Sequence, residues 1–349
     1  MVRRRGLRLR GRTASIKDPV NAPHASVIIP TRNRPRAVER CLDALASQTM
    51  PAGSFEVIVV DDGSSTPLEL DAARWAGHFD LTLIRQANTG PAGARNRGVE
   101  AASGEVVAFT DDDCLPTATW LATLVAALRG YPAALVGGST FNGLKEDLFA
   151  ETSQLIVEMV YGHFNRDPAN AYFFASNNMA LRRDCYLAIR GFDEEFASPG
   201  AEDRELCDRW RMQRWPLVWV PNAQIEHRHA QNLQGFVRLH WRYGQGAFLY
   251  QAKRKERSSG TMSDDLMFHR ELPGRIRASI SRYPLGRRLK LLSALFLWQV
   301  ANAVGFFHAW CRRGAVGQQP LTAGGKHTAL RKSREDQLSR SRSIHQRLF

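Results

Sequence analysis

Three consecutive aspartates, Asp111, Asp112 and Asp113, directly follow an apolar run in the stretch AFTDDDCLP. Neighbouring carboxylates repel one another, and removing one from water is costly. Two interpretations are open: a solvated turn in which Asp113 caps the next helix, or a cluster that faces a cation. Hard cations such as Mg²⁺ or Mn²⁺ select such oxygen ligands and complete their shell with substrate phosphates. The D-x-D spacing would point Asp111 and Asp113 the same way and Asp112 elsewhere.

Two further stretches place polar groups after apolar runs. VVDDGSS carries Asp61 and Asp62 before a Gly-Ser turn, which is common turn chemistry by itself. NTGPAGARNRG puts small residues before a helix whose free N–H groups, together with Arg95, suit a negatively charged group. This stretch is neither a G-x-G-x-x-G dinucleotide loop nor a P-loop, because no G-K-[ST] follows.

Two later stretches carry a candidate base and a candidate metal ligand. In GAEDRELCDRW, Glu202 and Asp203 open a helix; they are either partners of the helix dipole or, in a covered cleft, a general base. In IEHRHA, the alternation of an extended chain predicts that only one of His227 and His229 faces inward. That imidazole would be a last metal ligand, although a lone histidine is more often structural.

The elements that position these residues follow a βαβ rhythm from residue 26 onward. We predict strands at SVIIP, FEVIVV, LTLIR and EVVAF, a short strand at 133–138, and helices at 34–48, between FEVIVV and LTLIR, from Pro91 to Gly104 and at 117–130. Residues 145–225 are mixed, with NNMALRR and RWPLVWVP interpreted as strand or loop pieces that close over the sheet. Ligands of open α/β sheets bind at the carboxyl ends of the strands, so the acidic residues are expected on a ligand-binding edge.

These ordered stretches resemble the family 2 glycosyltransferases of the GT-A fold, from about Ser26 to about His229. The motifs that carry the resemblance are SVIIPTRNRP, VIVVDDGSS, NTGPAGARNRG, FTDDD, EDREL and VPNAQIEH. The resemblance implies an α/β fold: a Rossmann-like, mostly parallel sheet flanked by helices, with a C-terminal helical extension. It also implies a nucleotide-diphosphate sugar at the carboxyl edge of the sheet.

The resemblance further implies roles for individual residues. Pro30, Thr31 and Arg32 would lie beside the nucleoside, Asp62 would read the base, Arg95 would lie near the base and phosphate, and Asp112 would belong to the nucleotide-sugar contacts. Asp111 would contact the ribose and an Mg²⁺ or Mn²⁺ ion, Asp113 would be the main metal ligand, and His227 would complete the metal shell. Asp203 would be the general base of an inverting transfer, with Glu202 as the alternative.

The resemblance is incomplete at one point. Processive members of the family carry Q-x-x-R-W after the base, whereas Gln213-Arg214-Trp215 has the wrong spacing. We therefore expect one sugar to be added per encounter, to a lipid-linked or polysaccharide acceptor such as those of the cell envelope.

The net charge of +14 is concentrated at the ends of the chain. Residues 1–12 hold six arginines and no acid, and the segments 251–290 and 326–349 are also strongly basic, so the rest is slightly acidic. This pattern favours an anionic membrane surface over nucleic acid, and we expect no nucleic-acid partner; tails that only confer solubility are the alternative. The predicted domains are a basic tail at 1–22, the glycosyltransferase domain at 23–235, a helical extension at 236–318 for which membrane association is one interpretation, and a second basic tail at 319–349.

The membrane and compartment expectations rest on composition. LLSALFLWQVANAVGFFHAW (291–310) is long enough to span a bilayer, but polar residues interrupt it and basic residues flank both sides, which favours a helix lying in the interface or packing on the protein. Five cysteines without a C-x-x-C pair, and no apolar stretch after the basic N-terminus, favour a cytoplasmic protein at the inner face of the membrane.

Two competing functions remain at this point. A sugar-nucleotide nucleotidyltransferase would need a glycine-rich, lysine-bearing loop after the first strand, where PTRNRP stands instead. A basic, non-catalytic protein that binds nucleic acid or acidic lipid through its termini explains the charge but not the acidic edge.

Overall fold

The computed structural model describes residues 24–316, apart from the side chains of Asp264 and of residues 314–316. Both predicted basic tails therefore lie outside the described residues. The strands are β1 Ala25–Thr31, β2 Phe55–Asp62, β3 Asp80–Gln86, β4 Val106–Thr110, β5 Cys114–Pro116, β6 Leu135–Asn142, β7 Asn178–Arg182 and β8 Leu217–His227. The helices are α1 Pro35–Ala46, α2 Gly90–Ala101, α3 Trp120–Gly130, α4 Leu148–Phe164, α5 Arg183–Ala188, α6 Glu202–Met212, α7 Leu233–Arg257, α8 Ser263–Ile280 and α9 Leu285–Val316.

The eight described strands form one sheet in the order β3-β2-β1-β4-β7-β6-β8-β5. β1, β2, β3 and β4 are parallel to one another, as the βαβ rhythm predicts, whereas β7 runs antiparallel between β4 and β6. Thr31 at the end of β1 lies opposite Asp61 at the end of β2, and β4 ends beside them at Thr110. The register therefore brings the acidic stretches to one edge of the sheet, and the predicted α/β fold with a helical C-terminal region is confirmed.

Three local features differ from the prediction or add to it. The chain between β2 and β3 forms only the three-residue 3₁₀ turn Ala72–Arg74, not a helix. The mixed region contains the 17-residue helix α4, which Asp147 caps by accepting two backbone N–H groups. The stretch NNMALRR, predicted as a strand or loop piece that closes over the sheet, is indeed a strand, but this strand, β7, lies inside the sheet and has side chains buried on both faces.

Apolar residues are buried on both faces of the sheet and in a third cluster among the later helices. α1 and α3 cover one face, with Val38, Leu42 and Leu124 fully buried, and α2 and α6 cover the other face. In the third cluster, Leu155 and Met159 of α4 pack with α8 and with the inner face of α9. The chain divides into two compact units, Met1–Ala309 and Trp310–Phe349; the described part of the second is residues 310–316, the end of α9.

Within the described residues, the segment Leu285–Arg313 of α9 has the length and apolar composition of a membrane-crossing helix. Its inner face packs against α7 without space for additional atoms. A Cβ atom on Gly305 would lie 1.9 Å from the carbonyl oxygen of Trp241, and one on Gly244 would lie 2.0 Å from that of Asn302. Glycine at these two positions therefore allows the backbones of α7 and α9 to approach closely.

Gly305→Ala is expected to destabilise the protein by about 1–3 kcal/mol, because the added methyl group forces α7 and α9 apart. Gly274→Ala is the matched control: it also lies inside a helix, but nothing is within 4 Å of its Cβ position. That change should stabilise the protein by up to about 1 kcal/mol through helix propensity. Urea unfolding of both variants measures the difference, and equal effects would contradict the close contact.

Candidate active site

Asp112 supports the carboxyl edge of the sheet from inside. Its side chain is fully buried, and its Oδ2 accepts a hydrogen bond from the hydroxyl of Thr31 at 2.6 Å. The guanidinium of Arg34 lies 2.8 Å from its Oδ1. Burial raises the pKa of Asp112 to about 7, although the positive charge of Arg34 opposes the shift. The carboxylate of Asp112 therefore faces Thr31 and Arg34, and it shares the guanidinium of Arg34 with Asp113.

Asp113 is the centre of a cluster with two imidazoles and a guanidinium. Its Oδ1 lies 3.3 Å from His227 Nε2, and its Oδ2 lies 2.7 Å both from His229 Nδ1 and from Arg34. Burial alone would raise the pKa of Asp113, but the hydrogen bonds from both histidines and the charge of Arg34 hold it well below its usual range. Asp113 is therefore ionised at neutral pH.

The expectation that only one histidine faces inward was wrong. His227 and His229 both contact Asp113, and their rings stack with centroids 5.5 Å apart. β8 ends at His227, so His229 lies beyond the strand and the alternation of an extended chain no longer applies to it.

Arg95 joins the sheet edge to the helix that carries the candidate base. Its guanidinium is buried and lies 2.8 Å from Asp111 Oδ1 and 3.2 Å from Glu202 Oε1. Asp111 is partly exposed, and within the described residues its second oxygen accepts no hydrogen bond. Asp111 and Glu202, the neighbour of Asp203, therefore contact one guanidinium, although they are separated by about ninety positions in the chain.

Glu202 and Asp203 differ in how their carboxylates are occupied. Glu202 Oε2 accepts the N–H of Gly200, so both of its oxygens have partners. Asp203 is half-buried and accepts one hydrogen bond, from the backbone N–H of Arg204. Burial, followed by the neighbouring charge of Glu202, raises the pKa of Asp203 to about 7. Asp203 is thus the freer of the two carboxylates and can accept a proton near neutral pH.

The loops after β1 and β2 form the side of the edge where the resemblance places the nucleoside. Pro30 and Thr31 are buried at the end of β1, and exposed Arg32 donates to the carbonyl of Gly63 at 3.3 Å. Asp62 accepts the backbone N–H groups of Thr89 and Gly90, both at 2.9 Å, and so caps the start of α2. The predicted nucleoside-side residues are therefore adjacent, and the carboxylate of Asp62 is held in a fixed position.

Two site residues escaped the sequence analysis. Arg34 pairs with both Asp112 and Asp113; the only sequence signal is an arginine shortly after the end of a buried strand. Tyr243 of α7 is 38% exposed and packs on Gly200, the residue that donates to Glu202. Desolvation, followed by the charges of Glu202 and Asp203, raises the pKa of Tyr243, so its phenol lies near the candidate base.

The chemistry of the donor atoms fits a divalent cation. Asp113 and His227 offer an ionised carboxylate oxygen and an imidazole nitrogen within 4.8 Å of one another, and the sulfur of Cys114 is equally near. Burial raises the pKa of Cys114 well above its usual value, which keeps the thiol protonated and a poor ligand. Asp111, at the same turn, adds a carboxylate with one oxygen that has no hydrogen-bond partner in the described part of the chain.

Comparison with known proteins gives similarity to glycosyltransferases over part of the chain. Residues 26–188 match the family model described as Glycosyl transferase family 2. Glycosyltransferase AglE of Haloferax volcanii is 40% identical over 119 residues, which cover 34% of this chain and 39% of that protein. Pre-mycofactocin glycosyltransferase of Mycobacterium tuberculosis is 29% identical over 227 residues, or 64% of this chain and 46% of that protein. This chain thus spans less than half the length of these two curated relatives.

Among solved structures, a mannosyltransferase from Pyrobaculum calidifontis, PcManGT, has a similar fold. That protein was solved in complex with GDP-Man and Mn²⁺; the similarity covers 86% of this chain and 90% of that one, with a TM-score of 0.55 and 21% sequence identity. The likeness confirms the predicted GT-A fold.

Proposed function

We propose that this chain, whose residues 26–188 match the family model of glycosyl transferase family 2, transfers a sugar from a nucleotide-diphosphate sugar to an acceptor hydroxyl group. One observation carries the proposal: Arg95 bridges Asp111 at the sheet edge and Glu202 beside Asp203. This contact brings the carboxylate cluster that we propose to bind a cation next to a carboxyl with a pKa of about 7, and the space between them is the proposed substrate cleft.

In the proposed reaction, Asp203 removes the proton from the acceptor hydroxyl as its oxygen attacks the anomeric carbon. The attack is in line with the departing nucleoside diphosphate, so the anomeric configuration inverts. The bond from the anomeric carbon to the diphosphate breaks, and its electron pair leaves with the diphosphate. Arg95 holds Asp111 and Glu202 in place, while Pro30, Thr31, Arg32 and Asp62 border the nucleoside.

Asp113, Asp111 and one imidazole, His227 or His229, would hold the divalent cation. An Mg²⁺ or Mn²⁺ ion there would neutralise charge that develops on the diphosphate. Arg34 stays beside Asp112 and Asp113 and fixes the turn that presents these carboxylates.

The acceptor in this proposal is a lipid-linked or polysaccharide hydroxyl of the cell envelope, and one sugar is added per encounter. Half-exposed Tyr243 provides a wall on the acceptor side of the cleft. The basic helical segment 251–290 supports a position on the cytoplasmic side of an anionic membrane.

Thermal unfolding with UDP, GDP, dTDP and CDP, each with and without Mn²⁺, tests the proposal. We expect one nucleotide to raise the melting temperature only when Mn²⁺ is present. At a concentration of about 100 times Kd, the stabilisation should be about 2.7 kcal/mol. If no nucleotide changes the melting temperature, the transferase proposal fails.

The competing candidate is a basic, non-catalytic protein that binds nucleic acid or acidic lipid through its termini. Removing residues 1–20 and 320–349 separates the two functions. A transferase should retain its Mn²⁺-dependent nucleotide shift after this truncation, whereas a protein that functions through its ends would lose its binding.

A further inference from the structure

α9 has an outer face that no described residue covers. Its large apolar side chains are 41–68% exposed: Leu289, Leu292, Phe296, Val300, Val304 and Phe307. At 100° per residue these positions fall on one side of the helix, opposite the packed positions Leu291, Leu295, Trp298 and Gly305. The outer face of α9, defined by these six exposed residues, is thus a continuous apolar stripe.

The apolar surface continues beyond the helix itself. Leu292 also lines a groove of about 590 Å³ between α8 and α9. Leu272, Pro273 and Ile276 of α8 form much of its other wall. The lining is mainly apolar and also includes His269, Arg277 and Gln299, and a mainly apolar groove beside an exposed apolar stripe is typical of an interaction surface.

The charges around the outer face select between possible occupants. Arg287, Arg288 and Lys290 lie at the start of α9, and Arg288 and Lys290 flank the two sides of the stripe there. A second copy of the chain would bring like charges together, which opposes association through this face. An anionic bilayer matches both the positive charge and the apolar stripe.

Packing decides how the helix would lie. The Gly244 and Gly305 contacts hold α7 alongside the middle of α9, and α7 carries the charged residues Arg238 and Arg242. A bilayer that surrounded α9 would also have to enclose these charges, which is costly. A helix lying in the plane of the interface buries the outer face alone.

We propose that the outer face of α9 docks the protein on an anionic bilayer, with the helix in the plane of the membrane surface. This extends the proposed function, because α7 packs both on the inner face of α9 and, through Tyr243, on Gly200 beside Glu202. Docking therefore holds the acceptor side of the cleft at a fixed distance from the lipid surface.

Flotation of the full-length chain with vesicles of phosphatidylcholine and phosphatidylglycerol tests the proposal. The variant Phe296→Glu/Phe307→Glu changes two exposed residues of the stripe, and Tyr131→Glu/Leu187→Glu is the matched control, since Tyr131 and Leu187 are 51% and 48% exposed on other elements. The assay is repeated at about 1 M salt, where the Debye length of about 3 Å suppresses binding by the basic tails.

We expect the wild type and the control to float at both salt concentrations. The bound fraction of the stripe variant should fall more than about tenfold at high salt. Undiminished flotation of the stripe variant, or no flotation of the wild type, would overturn the proposal. Resistance of bound wild type to carbonate extraction would overturn the in-plane arrangement. A dimer in light scattering that the stripe variant converts to a monomer, without vesicle binding, would assign the face to self-association.

The nucleotide panel with Mn²⁺ is run on the same three proteins. A nucleotide shift without flotation means that docking fails and the transferase proposal stands. Flotation without a nucleotide shift means that docking stands and the transferase proposal fails. The stripe variant should keep the wild-type nucleotide shift, because the changed residues lie outside the cleft.

Discussion

Asp203→Asn is expected to lower the rate of sugar transfer by about 10²- to 10⁴-fold, the usual contribution of a general base. The amide keeps the shape of the side chain and can still accept the N–H of Arg204, but it cannot take a proton from the acceptor hydroxyl. Nucleotide binding should be largely unchanged, because within the described residues no hydrogen bond or ion pair joins Asp203 to a residue assigned to the donor or the cation. Single-turnover transfer and the nucleotide-induced melting shift measure the two effects separately.

Two variants serve as comparisons for this change. Asp184→Asn replaces an exposed aspartate on α5 that pairs with Arg182, and should leave both readouts at the wild-type level. Glu202→Gln weakens the contact with Arg95 and is expected to reduce nucleotide binding as well as transfer. Full transfer by Asp203→Asn would exclude Asp203 as the base and assign the role to Glu202.

The pH dependence of transfer gives the same assignment a second test. Burial and the charge of Glu202 raise the pKa of Asp203 to about 7, so below that pH the carboxyl is mostly protonated and cannot act as a base. The rate should therefore rise with pH and level off above about 7. Asp112 has a pKa in the same range, so the rise belongs to Asp203 only if the residual rate of Asp203→Asn lacks it.

The parallel half of the fold was predictable because its signals are local. Apolar runs such as FEVIVV predict β1 to β4, and α1 and α2 were predicted as well, although no helix separates β2 from β3. The antiparallel insertion of β7 was not predictable, since pairing with β4 and β6 depends on contacts far along the chain. α4 was missed because its apolar residues contact α8 and α9 as well as the sheet side, which obscures a one-faced pattern.

The candidate site was partly predictable for a similar reason. The clustering of carboxylates at strand ends was predictable, because the register of a parallel sheet brings strand ends together, as at Thr31 and Asp61. The contact of Arg95 with Glu202 and the contacts of Asp113 with both histidines depend on where α6 and the end of β8 fold back. Nothing in the spacing of a single sequence specifies these distances.

Asp113→Ala is expected to abolish the Mn²⁺-dependent part of nucleotide binding, a loss of more than about 100-fold in metal affinity, because even indirect partners of a metal ligand contribute 10- to 100-fold. The change removes an ionised carboxylate that faces both imidazoles. The fold should survive, since Arg34 keeps its ion pair with Asp112. Mn²⁺ titration with the identified nucleotide measures the loss, and Asp43→Ala, which removes a surface aspartate paired with Arg74, is the control.

Variants of the two histidines then show which imidazole binds the cation beside Asp113. The resemblance assigns it to His227, whereas His229 lies closer to Asp113, at 2.7 Å compared with 3.3 Å. If His227 binds the cation, His227→Ala should reproduce most of the loss in Asp113→Ala, and His229→Ala should weaken Mn²⁺ binding by about 10- to 100-fold through lost orientation of Asp113. If His229→Ala weakens Mn²⁺ binding more than His227→Ala does, the ligand is His229. If Asp113→Ala keeps the wild-type Mn²⁺ affinity, the cation does not bind at this cluster. The hydrogen bonds of Asp113 would then serve only to hold the end of β8 against the turn after β4.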